Sequence, residues 1–214
     1  MATQPASIEA LLGVPVGKQA SRLALAYSIE DGLPVTALDR LAAATQHVSS
    51  TSVIASWLAA LEAALHADRG DYLAARCALD RADAASNQLA GCPTPQPSFC
   101  DSCTPNLAVT MGYVLLQAGD YHGACTTLAT VLGESRPIPR RQHILALVLL
   151  AIAELRSGDF APAHSHALQA ARSMHQTAYA FGAARIRAFR AMAEQTLNSE
   201  ALRALDEALT RIAA

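Results

Sequence analysis

Three cysteines in the middle of the chain carry the sharpest local chemistry. Cys92, Cys100 and Cys103 form a Cys-x7-Cys-x2-Cys pattern inside a proline-rich stretch from Gly91 to Pro105. A Cys-x2-Cys pair at a turn can present two thiolates to one Zn²⁺, and a structural zinc site takes four ligands. Cys92 would be the third ligand and His122 or Cys125 the fourth. A second Cys-x2-Cys is missing, so ordinary reduced thiols compete with the zinc site. A redox-active pair would want a strand-to-helix setting, which the pattern does not offer. Cys77 and Cys125 sit among Ala and Leu, where cysteine behaves as a small apolar residue. Residues 1–10 show neither the basic nor the apolar segment of a secretory signal. With an odd count of five cysteines, that favours reduced thiols in a cytoplasmic protein over a disulfide framework.

Other candidate chemistry is thinner. His164 and His166 are two residues apart, which puts them on different helix faces, and with His175 they read as solvated surface histidines. No Gly-x-Ser-x-Gly, phosphate-binding glycine loop or His-Glu-x-x-His is present, and no carboxylates are evidently paired, so catalysis is not expected. Arg136, Arg140 and Arg141 form one basic cluster and Arg185, Arg187 and Arg190 another. Either could meet a phosphate or an acidic partner. Neither has an aromatic stacking platform of the kind single strands use, and direct nucleic-acid binding is not expected.

The elements that must position these groups are helices. Of 214 residues, 52% are hydrophobic and 16% charged, which excludes a disordered chain; net charge is -2. Mean hydropathy is +0.21, yet charged or amide residues interrupt every apolar run before it could span a membrane. Ala and Leu dominate, and both favour helix. Leu58, Leu61 and Leu65 recur at helical spacing, as do Leu145, Leu149 and Ile152. The chain is all-α, with residues 1–50 forming a helical N-terminal segment and 51–214 a repeat domain.

The repeat is visible on Gly70, Gly119 and Gly158. Each is followed by Asp and an aromatic residue: Tyr72, Tyr121 and Phe160. Ala75, Ala124 and Ala163 come three residues later, and Ala82, Val131 and Ala170 seven beyond those. Ala63, Gly112 and Ala151 stand seven residues before each glycine. Small residues at these points let two antiparallel helices approach closely, with the aromatic wedged into the turn. Gly32 fits the pattern more weakly, with Leu25 at the small position and Pro34 in place of the aromatic.

This pattern resembles the tetratricopeptide repeat, a helical hairpin of about 34 residues. Intervals of 38, 49 and 39 residues separate Gly32, Gly70, Gly119 and Gly158, so the units are degenerate. About four such pairs with C-terminal capping helices would make an α-solenoid, and Arg185, Arg187, Arg190 and Glu194 could give its end a polar face. From Val53 to Met192 the chain is similar to the tetratricopeptide C-terminal sensor region of bacterial helix-turn-helix transcriptional regulators. The residues carrying this are Ala74 to Ala82, the Gly119-Asp120-Tyr121 turn, Arg140 to Leu147, and Gly158 to Ala171. Residues 11–45, with Leu12 to Lys18 and Ser28 to Ala42, resemble the N-terminal part of Xre-type antitoxins.

In a tetratricopeptide array the first helix of each pair lines the concave groove. The resemblance places Trp57, Asn106, Val109, Tyr113, Leu116, Gln117, Val148, Ile152 and Arg156 there. An apolar groove of this kind implies a partner helix, a peptide, an apolar small ligand or a second copy of the chain. The implied function is a non-catalytic sensing or interaction module in transcriptional regulation. The alternatives are a metal-binding or enzymatic solenoid using Cys92, Cys100 and Cys103, and an antitoxin-like partner of a toxin.

Overall fold

Alanine-rich seams between antiparallel helices set the architecture. The computed structural model describes residues 38–39, 41–42, 45–46, 53–90, 107–134, 138–174, 179–196 and 198–213, and every regular element among them is α-helical. The zinc residues Cys92, Cys100 and Cys103, the groove residue Asn106 and the Gly32 turn lie outside the described residues. The chain forms two compact units, Met1–Phe99 and Cys100–Ala214, divided within the proline-rich stretch.

The first unit contains α1 (Val53–Asp68) and α2 (Tyr72–Ala90), which pair along their length. Ala60, Ala63 and Ala67 on α1 are buried, as are Ala75, Ala78, Ala82 and Ala85 on α2. Spacings of three and four keep each set on one face. Between them the Ser56 hydroxyl donates to the Ala82 carbonyl at 2.8 Å, satisfying a buried polar group without widening the seam.

The second unit contains α3 (Leu107–Gln117), α4 (Tyr121–Gly133), α5 (Arg140–Ser157), α6 (Phe160–Met174), α7 (Ala180–Ala193) and α8 (Ser199–Ala213). Each helix packs on its chain neighbours, and the next-but-one pairs α3–α5, α5–α7 and α6–α8 also meet. Helix α5 has no polar side apart from its ends. Ile144 and every residue from Ala146 to Leu155 are buried, because helices cover it from several directions.

Three turns share one backbone geometry. Gly70, Gly119 and Gly158 have φ of 75°, 81° and 91°, and no other described residue has positive φ. Gly70 N–H donates to the Ala67 carbonyl and Asp71 N–H to the His66 carbonyl. The pairs Gly119 to Leu116 with Asp120 to Leu115, and Gly158 to Leu155 with Asp159 to Glu154, repeat it. This is a Schellman termination, which needs a left-handed residue at the glycine position. The next helix starts at once: Asp71 Oδ1 accepts from Ala74 N–H at 3.1 Å and Asp120 Oδ1 from Gly123 N–H at 2.9 Å.

All nine small residues of the repeat pattern are buried. The aromatic wedge is not general. Tyr72 and Phe160 are 41% and 40% exposed, and only Tyr121 is half-buried.

Close approach is tightest between α3 and α4. A Cβ on Gly112 would lie 2.5 Å from Leu128 Cγ, and Leu128 is fully buried. Gly112→Ala should therefore destabilise the second unit by about 1–3 kcal/mol. Gly158→Ala, where the added methyl meets nothing but the left-handed backbone is disfavoured, should cost about 1–2 kcal/mol. The exposed change Ala129→Ser should stay within about 0.5 kcal/mol. Urea unfolding followed by circular dichroism ranks the three; an unshifted Gly112→Ala midpoint would contradict the seam.

Candidate functional site

The first helices of successive pairs in the second unit are α3, α5 and α7, and their shared side carries arginine and tyrosine. Tyr113 on α3 is 8% exposed. Gln117, one turn later, donates its Nε2 to Tyr113 Oη at 2.7 Å. Arg185 of α7 donates Nη2 to the same oxygen at 3.1 Å, with its guanidinium carbon 4.7 Å from the ring centroid. Helices α3 and α7 are not neighbours, so this side chain reaches past α5 to join the two.

A second stack continues the row. Arg141, in the first turn of α5, lies 5.8 Å from the ring centroid of Tyr179, which precedes α7. Burial pushes the Tyr179 phenol up from its ordinary value, while Arg185 and then Arg141 pull it down. Arg185 thus stands between two tyrosines, and Arg141 follows the second. The Tyr179 ring lies over Gly182, where a Cβ would come within 2.5 Å of it. At the far end of α5, Arg156 donates to Met192 Sδ of α7 at 3.5 Å.

Several expected groove residues occupy other surroundings. Trp57 is 3% exposed and belongs to the first unit, so its ring is core there and not an open anchor. Val109, Leu116, Val148 and Ile152 are buried in the core of the second unit. The resemblance placed Val148, Ile152 and Arg156 of α5 in the groove, but neighbouring helices cover Val148 and Ile152. What stays accessible is Gln117, half-buried, and Arg156, exposed. Arg185 was expected on a polar end cap and instead faces Tyr113, because α7 and α8 pack as another hairpin on α5 and α6. Arg190 does face the end: it binds Asp206 of α8 through Nε at 2.9 Å and Nη2 at 3.1 Å, and Glu194 through Nη1 at 3.1 Å. Both arginine clusters also find aromatic partners, which come from other helices.

A polar cluster on the opposite side of α5 had no clear trace in the sequence. Glu154, 9% exposed, accepts from His166 Nδ1 of α6 at 2.8 Å. His164 bonds the Ala201 carbonyl of α8 through Nε2 at 3.0 Å. These histidines are half-buried structural partners and not solvated. The one available signal was Glu154 itself, a lone carboxylate inside an apolar run that must find a donor. Cys125 of α4 is beside it. Burial first, then the Glu154 and Asp159 charges, push its thiol up, against a hydrogen bond with Ser157. That keeps Cys125 in the weakly nucleophilic thiol form. Cys77 is exposed, so it is not the buried apolar residue its neighbours suggested. Among the described residues no group of three His, Cys, Asp or Glu side chains is arranged to hold a metal ion, and no helix is long and apolar enough to cross a membrane.

Burial is also the largest influence on Glu154, raising its carboxyl above the ordinary 4.5, with His166 opposing. A raised folded-state value means that stability is lost as pH climbs from about 4.5 through the folded pKa. Glu154→Gln keeps an acceptor for His166 without the buried charge. Its stability relative to the parent should therefore improve between pH 4 and pH 7 in urea titrations. A gap that stays constant or narrows would contradict a desolvated carboxylate.

Protein-family models, curated proteins and solved structures were compared with this chain, and none matches.

Proposed function

We propose that the chain is a tetratricopeptide-like helical-repeat module that binds an acidic partner segment along α3, α5 and α7, without catalysing a reaction. The observation that carries this is the Tyr113–Arg185–Tyr179–Arg141 row, continued by Arg156. Along these three helices the only carboxylate is Glu154, and it is turned toward His166 of α6. The face is thus cationic with buried aromatic support. Supporting the repeat assignment are the three left-handed glycine turns, the buried small residues at matching offsets, and the neighbour-to-neighbour packing of α3 to α8.

A stacked arginine suits this role. Its guanidinium is held over a ring, so it loses less freedom when it meets a carboxylate. Gln117 and the exposed Arg156 extend the polar contacts along the same side. The apolar-ligand expectation weakens because Val109, Val148 and Ile152 are covered. The resemblance to sensor regions of transcriptional regulators supplies a setting for such binding: an acidic segment of a regulatory partner occupies the face.

Fluorescence anisotropy with labelled amphipathic peptides of matched length, one acidic and one basic, tests this. The acidic peptide should bind, and Arg185→Ala should weaken it about tenfold, which corresponds to about 1.4 kcal/mol. Tyr113→Phe, which keeps the ring and removes the oxygen that orients Arg185, should have a smaller effect in the same direction. Equal binding of both peptides, or an unaffected Arg185→Ala protein with parent-like circular dichroism, would refute the assignment.

A further inference from the structure

The α5–α6 hairpin separates its charges along its length. Its carboxylates, Glu154 and Asp159, are both at the Gly158 turn, and α6 itself contains none. Arg140, Arg141 and Arg172 are at the other end. Arg140 is fourteen residues from Glu154, roughly 20 Å along a helix at 1.5 Å per residue. That is about twice the screening length at physiological salt, so the carboxylates do little to neutralise the arginine end.

At that end an open cleft of about 480 Å³ is lined by Arg140, Ser165, Leu168, Gln169, Arg172 and Ser173. Among the described residues, two guanidinium groups, two hydroxyls and a carboxamide border it, with one apolar side chain and no carboxylate. Ser173 Oγ donates to the Gln169 carbonyl at 2.9 Å, which leaves its oxygen able to accept and fixes its place in the wall. Glu134, the nearest carboxylate along the chain on the other side, follows α4 and does not line the cleft.

We propose that this cleft binds a small phosphate ester, independently of the α3–α5–α7 face. Arg140 and Arg172 supply planar donor forks that match phosphate oxygens in pairs. Ser165 and Gln169 can donate to the remaining oxygens, and Leu168 can cover an aliphatic portion. The volume is that of a small-molecule site. Among the described residues no aromatic ring lines it.

Titration of the full chain with glycerol 3-phosphate at constant ionic strength, followed by amide chemical shifts, tests the proposal. Saturable shifts should centre on residues 165–173 and the start of α5. Arg172→Gln should weaken binding at least about tenfold, while the control Arg76→Gln, an exposed arginine of the first unit, should leave it unchanged. Inorganic phosphate should bind more weakly at the same residues. Non-saturating shifts, equal losses in the two variants, or shifts centred elsewhere would overturn the site. A phosphoserine peptide binding there far more tightly than glycerol 3-phosphate would overturn its assignment to small esters. Parent-like unfolding midpoints for both variants, expected for exposed side chains, assign any loss to the cleft.

Discussion

The structure depends on how closely two helices can approach beside a left-handed glycine. The Schellman turn at Gly70, Gly119 or Gly158 fixes where one helix ends and the next begins, so the antiparallel register is set by one residue. With register fixed, the small residues at matching offsets before and after the glycine are buried along the seam in all three hairpins. Anything larger than Ala or Val there would push the helices apart. At Gly112 even a methyl is too large, since Leu128 already fills the space. Turn and seam therefore constrain each other: without the small residues the turn would join helices that cannot close, and without the glycine the small residues would not face each other.

Helix α5 shows what this packing costs and what it makes possible. Surrounded by helices, it is apolar nearly all round, and its one carboxylate needs a partner from α6. Its arginines are confined to its ends, with Arg140 and Arg141 at one and Arg156 at the other. Burial of the middle thus turns an apolar stripe into two separated cationic patches. Arg141 is held by the Tyr179 ring, and Arg156 reaches Met192, so both patches are tied to α7 as well.

Much of the scaffold was legible in the sequence because it depends on local chemistry. The Gly-Asp turns and the small-residue offsets express short-range rules, and the cap at Asn198, whose Oδ1 accepts from Ala201 N–H at 2.8 Å, is of the same kind. The candidate site was legible only in part. The resemblance put Tyr113, Gln117 and Arg156 on one side, but it could not say which neighbours would bury Val148 and Ile152. Nor could it pair Arg185 with Tyr113, which stand 72 residues apart and meet only because α7 packs on α5. Nor could it decide the surroundings of Trp57, a lone tryptophan on a helix face, which is buried in the first unit.

The Arg185–Tyr113 contact also bears on how binding would be felt by the fold. It is the one described side-chain link between α3 and α7, two helices whose backbones do not touch. A cation over an aromatic face contributes about 0.5–2 kcal/mol depending on its desolvation. That is enough to bias the angle at which α7 sits on α5, yet small beside the burial that holds α5 in place. A carboxylate engaging Arg185 would compete with the Tyr113 oxygen for Nη2 while leaving the ring stack available. The guanidinium can therefore turn a donor to a new partner while its face stays on the ring. Lysine could not do this, because its ammonium has no planar face to keep on the ring while its donors turn elsewhere. The same side chain that stiffens the inner face is thereby the one best suited to report its occupancy to α7.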